Sequence, residues 1–295
     1  MLVGMRRVIG GAAVRQLSSR STVRASHNRL YDRRDTDFVL HELLKVHVAR
    51  EDSDAILNSC ESFSDAWHHV DPILDKHPPQ MIPSTDGQTS TVQSHPLTKD
   101  WLDAYRAHGF SELASLGLPF AVQCAANYTL GASATSNLVG YFVLTRCAAD
   151  LLEAHGSEAL VEQDGYLAKL RSGEYFGTMA LSEPHAGSSL STIRTMATPH
   201  DGGGTAGEYR LRGDKMWTTG AFQDVSSNIV QMLLARTPDA KPGAGGISLF
   251  LVPNILPDGT PNDVELISLN KKMGHKALTK CAPYAPCAPR TDGRP

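Results

Sequence analysis

Two short segments carry residues whose types and spacing could do chemistry. In the first, Gly177-Thr178-Met179-Ala180-Leu181-Ser182-Glu183-Pro184-His185-Ala186-Gly187-Ser188-Ser189, a strand-like run enters a turn of small hydroxyl residues beside glycine. Gly187 lets backbone approach a bulky ligand, and Ser182 and Ser188 offer hydroxyl donors with no large side chain in the way. Such a turn suits a phosphate or the polar edge of a ring; most Gly/Ser turns merely reverse the chain. The second segment, Gly213-Asp214-Lys215-Met216-Trp217-Thr218-Thr219-Gly220, combines an aromatic face with two hydroxyls. A flat heterocycle such as an isoalloxazine needs an apolar or aromatic wall and a few donors, which Trp217 and Thr219 supply. A tryptophan buried in a core is the competing reading.

The elements that position these segments change character along the chain. From Asp35 to about Arg171 the apolar spacing is helical, most clearly at Ile56, Cys60, Phe63, Trp67, Val70 and Leu74, with Asp52 and Ser53 as capping residues and Pro78-Pro79 as the stop. Trp101, Leu102 and Tyr105 continue the pattern, and the Ala/Leu-rich stretch from Pro119 to His155 predicts buried helices whose Asn127, Ser133, Ser136 and Asn137 bond to nearby backbone. A last helix is predicted from Ser157 through Leu170, ended by Gly173. Beyond it, strands are predicted over Tyr175 to Leu181, Ser191 to Ala197, Tyr209 to Trp217, Ile229 to Arg236, Ile247 to Val252 and Val264 to Leu269, with a hairpin loop at Asp201-Gly202-Gly203-Gly204. Helices followed by strands predict an α+β protein, an N-terminal all-α domain and then a small antiparallel β-domain.

With 295 residues, 41% hydrophobic, the chain is long enough for about two domains. A formal net charge of −3 provides no basic field for nucleic acid or an anionic membrane, and the longest apolar runs are far too short for a membrane span. The five cysteines form no CxxC pair and no zinc spacing with the twelve histidines, so no metal site is expected. There is no GxGxxG and no Walker loop, so a nucleotide cofactor would need another scaffold. The first 30 residues differ: Arg6, Arg7, Arg15, Arg20, Arg24 and Arg29 precede the first acidic residue, Asp32, among many hydroxyls. That profile is of a mitochondrial transit peptide, with a disordered basic tail as the alternative.

Taken together, the two segments resemble the flavin-binding signatures of the acyl-CoA dehydrogenase family, in particular its larger bacterial and mitochondrial members. The resemblance spans roughly residues 31 to 280, through Tyr166 to Glu174, Ala235-Arg236, Gly246 to Pro253 and Lys272-Met273-Gly274. It implies a helical domain over 31–174, a flavin-binding middle β-barrel over 175–280, FAD as cofactor, and residence in the mitochondrial matrix. It implies that Ser182 bonds the flavin ring, with main-chain contacts from Met179 and Leu181. Gly187 and Ser188 would meet the flavin pyrophosphate, Ser188 also touching acyl-CoA, while Trp217, Thr218 and Thr219 back the ring. Departures from the family pattern are Ser189 in place of Asp, Thr218 in place of an apolar residue, and a shortened glycine-rich stretch at Leu116-Gly117.

The implied reaction is α,β-dehydrogenation of an acyl-CoA thioester to 2-enoyl-CoA, with electrons passed to an electron-transfer flavoprotein and the full-length enzyme a homo-oligomer. The family's base is a glutamate in a C-terminal helical bundle that would follow this chain, so no catalytic residue is expected here, and Glu183 reads as a structural carboxylate. Residues 281–295, with Pro283, Pro286 and Pro289 beside Cys281 and Cys287, read as a foreign tail unsuited to a sheet. An inactive fragment or binding subunit of this fold, an acyl-CoA oxidase and a DNA-alkylation-response flavoprotein remain as alternative readings.

Overall fold

The computed structural model describes residues 32–83, 90–131, 136–158, 160–161, 165–200 and 208–285. The basic N-terminal segment, the 201–204 loop and most of the proline-rich tail lie outside them. The described residues fall into two compact units.

The first unit comprises, among the described residues, those up to Pro78, His95–Gly140 and Gly274–Ala277. Its helices are α1 (Arg33–Asp37), continued by a π-helical turn over Phe38–Leu43, α2 (Arg50–Trp67), α3 (Val70–Lys76), α4 (Pro96–Ala107) and α5 (Phe120–Leu130). Ile56, Cys60, Phe63, Val70 and Leu74 are all buried, as their spacing requires. The helix starts earlier than Asp52-Ser53 predict: Ala49 is the cap, and Ser53 instead donates its hydroxyl to the Arg50 carbonyl at 2.9 Å. Phe63 centres an aromatic cluster, meeting Trp101, Tyr105 and Phe110 edge-on with centroids 5.3, 5.9 and 5.3 Å away. Arg33 ties α1 to α2 through Asp54 and Glu61 at 2.7 and 3.2 Å.

The second unit comprises, among the described residues, those of Pro79–Ser94, those of Tyr141–Met273 and those from Leu278 to Ala285. Helix α6 (Ser136–His155), from Tyr141 onward, and α7 (Tyr166–Ser172) belong to it, so the contacts divide near 140 rather than at 174. The reason is packing: Ala148, Ala149, Leu152, Tyr166 and Leu170 form one core with Val230 and Met232 of the sheet. Gly177 is what permits that approach, because a Cβ there would lie 2.4 Å from the Ala148 Cβ. The helix predicted from Ser157 to Leu170 is interrupted by Gly165 at φ 66°, while Gly173 at φ 75° caps α7 as expected.

The strands are β1 (Gln80–Ile82), β2 (Thr91–Gln93), β3 (Tyr175–Ala180), β4 (Met196–Pro199), β5 (Tyr209–Asp214), β6 (Thr218–Thr219), β7 (Asn228–Ala235), β8 (Ser248–Pro253), β9 (Glu265–Leu269) and β10 (Lys280–Ala285). Besides the β1-β2 hairpin they form a three-stranded sheet, β3-β7-β8, and a five-stranded sheet ordered β4-β5-β10-β6 with β9 on β10. A parallel bridge from Met196 to Arg236 joins the two sheets, and the Ala197 amide donates to the Arg236 carbonyl at 2.7 Å. The α+β architecture is as expected, except that β3 and β7 pair in parallel rather than antiparallel.

Two strand expectations change. Ser191 to Ala197 does not run as a strand; a 3₁₀ turn covers Leu190–Thr192 and pairing begins at Met196, because the Arg194 and Thr195 amides bond the Glu183 carboxylate instead of a ladder. And Cys281 to Ala285, read as unable to enter a sheet, is a central strand. The register shifts between Ala282 and Pro283, so the proline sits at a bulge, and the Pro283 carbonyl still accepts the Lys215 amide at 2.9 Å.

Phe63→Ala should destabilise the first unit by about 3–5 kcal/mol, since removing a fully buried aromatic leaves a cavity beside Trp101, Tyr105 and Phe110. Urea unfolding followed by near-UV circular dichroism checks this, and a loss under about 1 kcal/mol would contradict the packing described.

Candidate functional site

Glu183 follows directly on Ser182, and its side chain is 2% exposed. One carboxylate oxygen accepts from the Thr195 amide at 3.0 Å, the Thr195 hydroxyl and the Lys215 ammonium at 3.0 Å; the other accepts from the Arg194 amide at 2.7 Å. Burial opposes its charge, but these donors outweigh burial and hold its pKa below the ordinary carboxylate value. Burial pulls the Lys215 pKa down against the attraction of Glu183, and Lys215 also donates to the Leu181 carbonyl at 3.2 Å. With this set of donors Glu183 is committed to the fold, as its place in the turn suggested.

The ion pair brings the two segments together. The Met216 amide donates to the Ser182 carbonyl at 2.8 Å, and Thr178 donates its hydroxyl to the Thr219 carbonyl. Between them lies a cavity of about 210 Å³. Its apolar lining is Leu144, Met179, Leu181, Met216 and Trp217, and its polar lining Thr178, Ser182, Thr219 and Lys280. Trp217 is no core residue: its side chain lies at the cavity, the residue is 51% exposed, and its backbone takes φ 62°, a left-handed conformation disfavoured for a bulky side chain. The surrounding bonds, including Lys215 amide to Pro283 carbonyl, hold it there.

Of the residues singled out from the sequence, Met179, Leu181, Ser182, Trp217 and Thr219 line this cavity. Gly187, Ser188 and Thr218 do not. Gly187 and Ser188 are exposed in the turn that follows the Glu183–Ala186 bridge, with open space where a Gly187 Cβ would stand. Thr218 alternates with Thr219 in β6 and is buried with its hydroxyl unpartnered. Thr178 and Met216 lie inside the two segments but had been given no role, and Leu144 and Lys280 lie outside them. Leu144 sits in a long apolar helix where nothing marks one leucine from another, and Lys280 belongs to the strand that its prolines disguised. The signal for Lys280 is a cross-strand one, its register pairing with Thr219.

The polar groups at the cavity fit a flat, acceptor-rich ring. The Ser182 hydroxyl has no hydrogen-bond partner among the described residues, and the Thr219 hydroxyl accepts from the Lys280 ammonium at 2.9 Å. Among the described residues no group of three His, Cys, Asp or Glu side chains could hold a metal ion, and no helix is long and apolar enough to cross a membrane.

The sequence model "Acyl-CoA dehydrogenase, middle domain" matches residues 178–284, which contain both segments and β10. These residues are similar in sequence to an acyl-CoA dehydrogenase middle domain. The chain is 32% identical over 276 residues to a butyryl-CoA dehydrogenase of Syntrophomonas wolfei, covering 85% of this chain and 43% of that relative. It is 32% identical over 151 residues to the mitochondrial isovaleryl-CoA dehydrogenase of Arabidopsis thaliana, covering 50% of this chain and 34% of the relative. The fold is similar to the solved butyryl-CoA dehydrogenase of Megasphaera elsdenii, with a TM-score of 0.60, 19% identity, and coverage of 82% of this chain and 57% of that one. The chain thus spans less than half the length of these two sequence relatives, one bacterial and one mitochondrial.

Lys215→Met, which strands the Glu183 charge in the interior, should cost about 3–5 kcal/mol at neutral pH. Because the Glu183 pKa is lowered on folding, its stabilisation is present above the ordinary carboxylate pKa and lost as acid carries the pH below it. The gap between wild type and variant should therefore shrink below about pH 4. Urea titrations at neutral and acidic pH check both points, and a gap that widens in acid would contradict them.

Proposed function

We propose that this chain is the flavin-holding part of an FAD-dependent acyl-CoA dehydrogenase, with the isoalloxazine ring seated in the cavity between the Ser182 turn and Trp217. One observation carries the reading: a strained, half-exposed indole and two hydroxyls, one unpartnered and one held by Lys280, line a single cavity inside an acyl-CoA dehydrogenase middle domain.

Trp217 supplies the wall that keeps water from one face of the ring, and Met179 and Leu144 the apolar floor. The Ser182 hydroxyl and the Thr219 hydroxyl donate to ring heteroatoms, while Met179 and Leu181 contribute main-chain groups beside them. Gly187 and Ser188 meet the flavin pyrophosphate in the exposed turn, Ser188 also touching the acyl-CoA, and Thr218 contributes through its main chain. A flavin held by these residues would supply the hydride acceptor for the β-hydrogen of an acyl thioester. Removal of the α-proton needs an accessible carboxylate near the thioester, and Glu183, buried and ion-paired to Lys215, is not one. The product is a 2-enoyl-CoA, the electrons pass to an electron-transfer flavoprotein, and the complete enzyme is a homo-oligomer. The basic N-terminal residues favour delivery to the mitochondrial matrix.

Purified chain mixed with FAD and desalted should stay yellow. Trp217→Gly should fold with stability within about 1 kcal/mol of wild type, since relief of the left-handed backbone offsets the lost packing and the added chain entropy. The same variant should lose FAD affinity at least about tenfold, about 1.4 kcal/mol, because an aromatic wall is gone. A Trp217→Gly protein that binds FAD as tightly as wild type would refute this placement of the ring.

A further inference from the structure

The flavin reading leaves Lys280 unexplained. Lys280 opens β10 and is the register partner of Thr219 in β6, so the two side chains lie on the same face of the ladder. Its ammonium is 2.9 Å from the Thr219 hydroxyl oxygen, both residues line the cavity, and Lys280 forms no ion pair among the described residues. An ammonium has three donors and no acceptor, so in this contact the Thr219 oxygen must accept. Its own proton is then excluded from the Lys280 direction. The Thr219 carbonyl is meanwhile held by the Thr178 hydroxyl, which fixes the backbone from which the Thr219 side chain extends. A hydroxyl that accepts from a cation is also a stronger donor than one that does not.

We propose that Lys280 is a positioning residue that turns the Thr219 hydroxyl proton into the cavity, making Thr219 an obligate donor to an acceptor atom of the bound ring, and that its positive charge favours the electron-rich, reduced form of that ring. This rests on the flavin reading above. Burial at the cavity wall lowers the Lys280 pKa. An arginine at this position, also a donor without an acceptor, preserves the arrangement; a glutamine, which donates or accepts, does not.

The test uses the full 295-residue chain reconstituted with FAD, with the FAD dissociation constant read by fluorescence and the midpoint potential by dye-coupled reduction. Lys280→Met should weaken oxidised FAD about tenfold, about 1.4 kcal/mol. It should weaken reduced FAD about tenfold more, lowering the two-electron midpoint potential by about 30 mV. Lys280→Arg should stay within about threefold of wild type. In a Thr219→Val background the affinity loss from Lys280→Met should largely vanish, because both changes remove the same directed donor. Should Lys280→Met fail to fold by circular dichroism, Lys280→Gln replaces it with the same expected direction. Wild-type affinity and potential in the folded Lys280 variant would overturn this inference alone. Failure of the wild type itself to bind FAD would overturn the flavin reading and this inference with it.

Discussion

The buried pair of Glu183 and Lys215 is the constraint on which the site depends. Each end of it belongs to one of the two informative segments, which it clamps together along with the Met216 amide on the Ser182 carbonyl and the Thr178 hydroxyl on the Thr219 carbonyl. Glu183 gathers the Arg194 and Thr195 amides, which bends the chain into β4. Lys215 reaches from the end of β5 to the carboxylate and to the Leu181 carbonyl, so that Met216 and Trp217 fall against the Ser182 turn. An ion pair this buried is no general source of stability, since desolvation opposes it. Here its effect is geometric, and burial with four donors ties the carboxylate to the fold.

The consequences run outward from that knot. With Met216 fixed on the Ser182 carbonyl, Trp217 must turn through a left-handed backbone to reach β6, and its indole is left at a cavity rather than in a core. Strain of this kind persists only where the surroundings over-determine it, and it commonly marks a ligand site. Three consecutive residues then take separate places: Trp217 and Thr219 line the cavity, and Thr218 is buried away from it. Behind the cavity, the absence of a side chain at Gly177 lets Ala148 of α6 close against β3, which brings Leu144 to the lining.

Much of this was legible in the sequence because it is local. The apolar spacing from Ile56 to Leu74 gave the helices, and β-rich runs gave β3, β7, β8 and β9 within a few residues. Ser182, Trp217 and Thr219 stood out by type and spacing. What was hidden is what depends on distant partners. Ser191 to Ala197 has the composition of a strand, but its Arg194 and Thr195 amides go to the Glu183 carboxylate well back along the chain. Pro283 argued against a strand, yet a bulge places it where no ladder amide is needed, and with β10 misread, Lys280 could not be paired with Thr219. The parallel pairing of β3 with β7 is a topological choice that neither strand's pattern encodes.

The central claim is that a flavin ring lies against Trp217 with its heteroatoms toward Ser182 and Thr219. A crystal structure of the chain grown with FAD tests it most directly. The ring should stack on the indole within hydrogen-bond reach of both hydroxyls, and density for it at any other place, with this cavity filled by water, would contradict the claim.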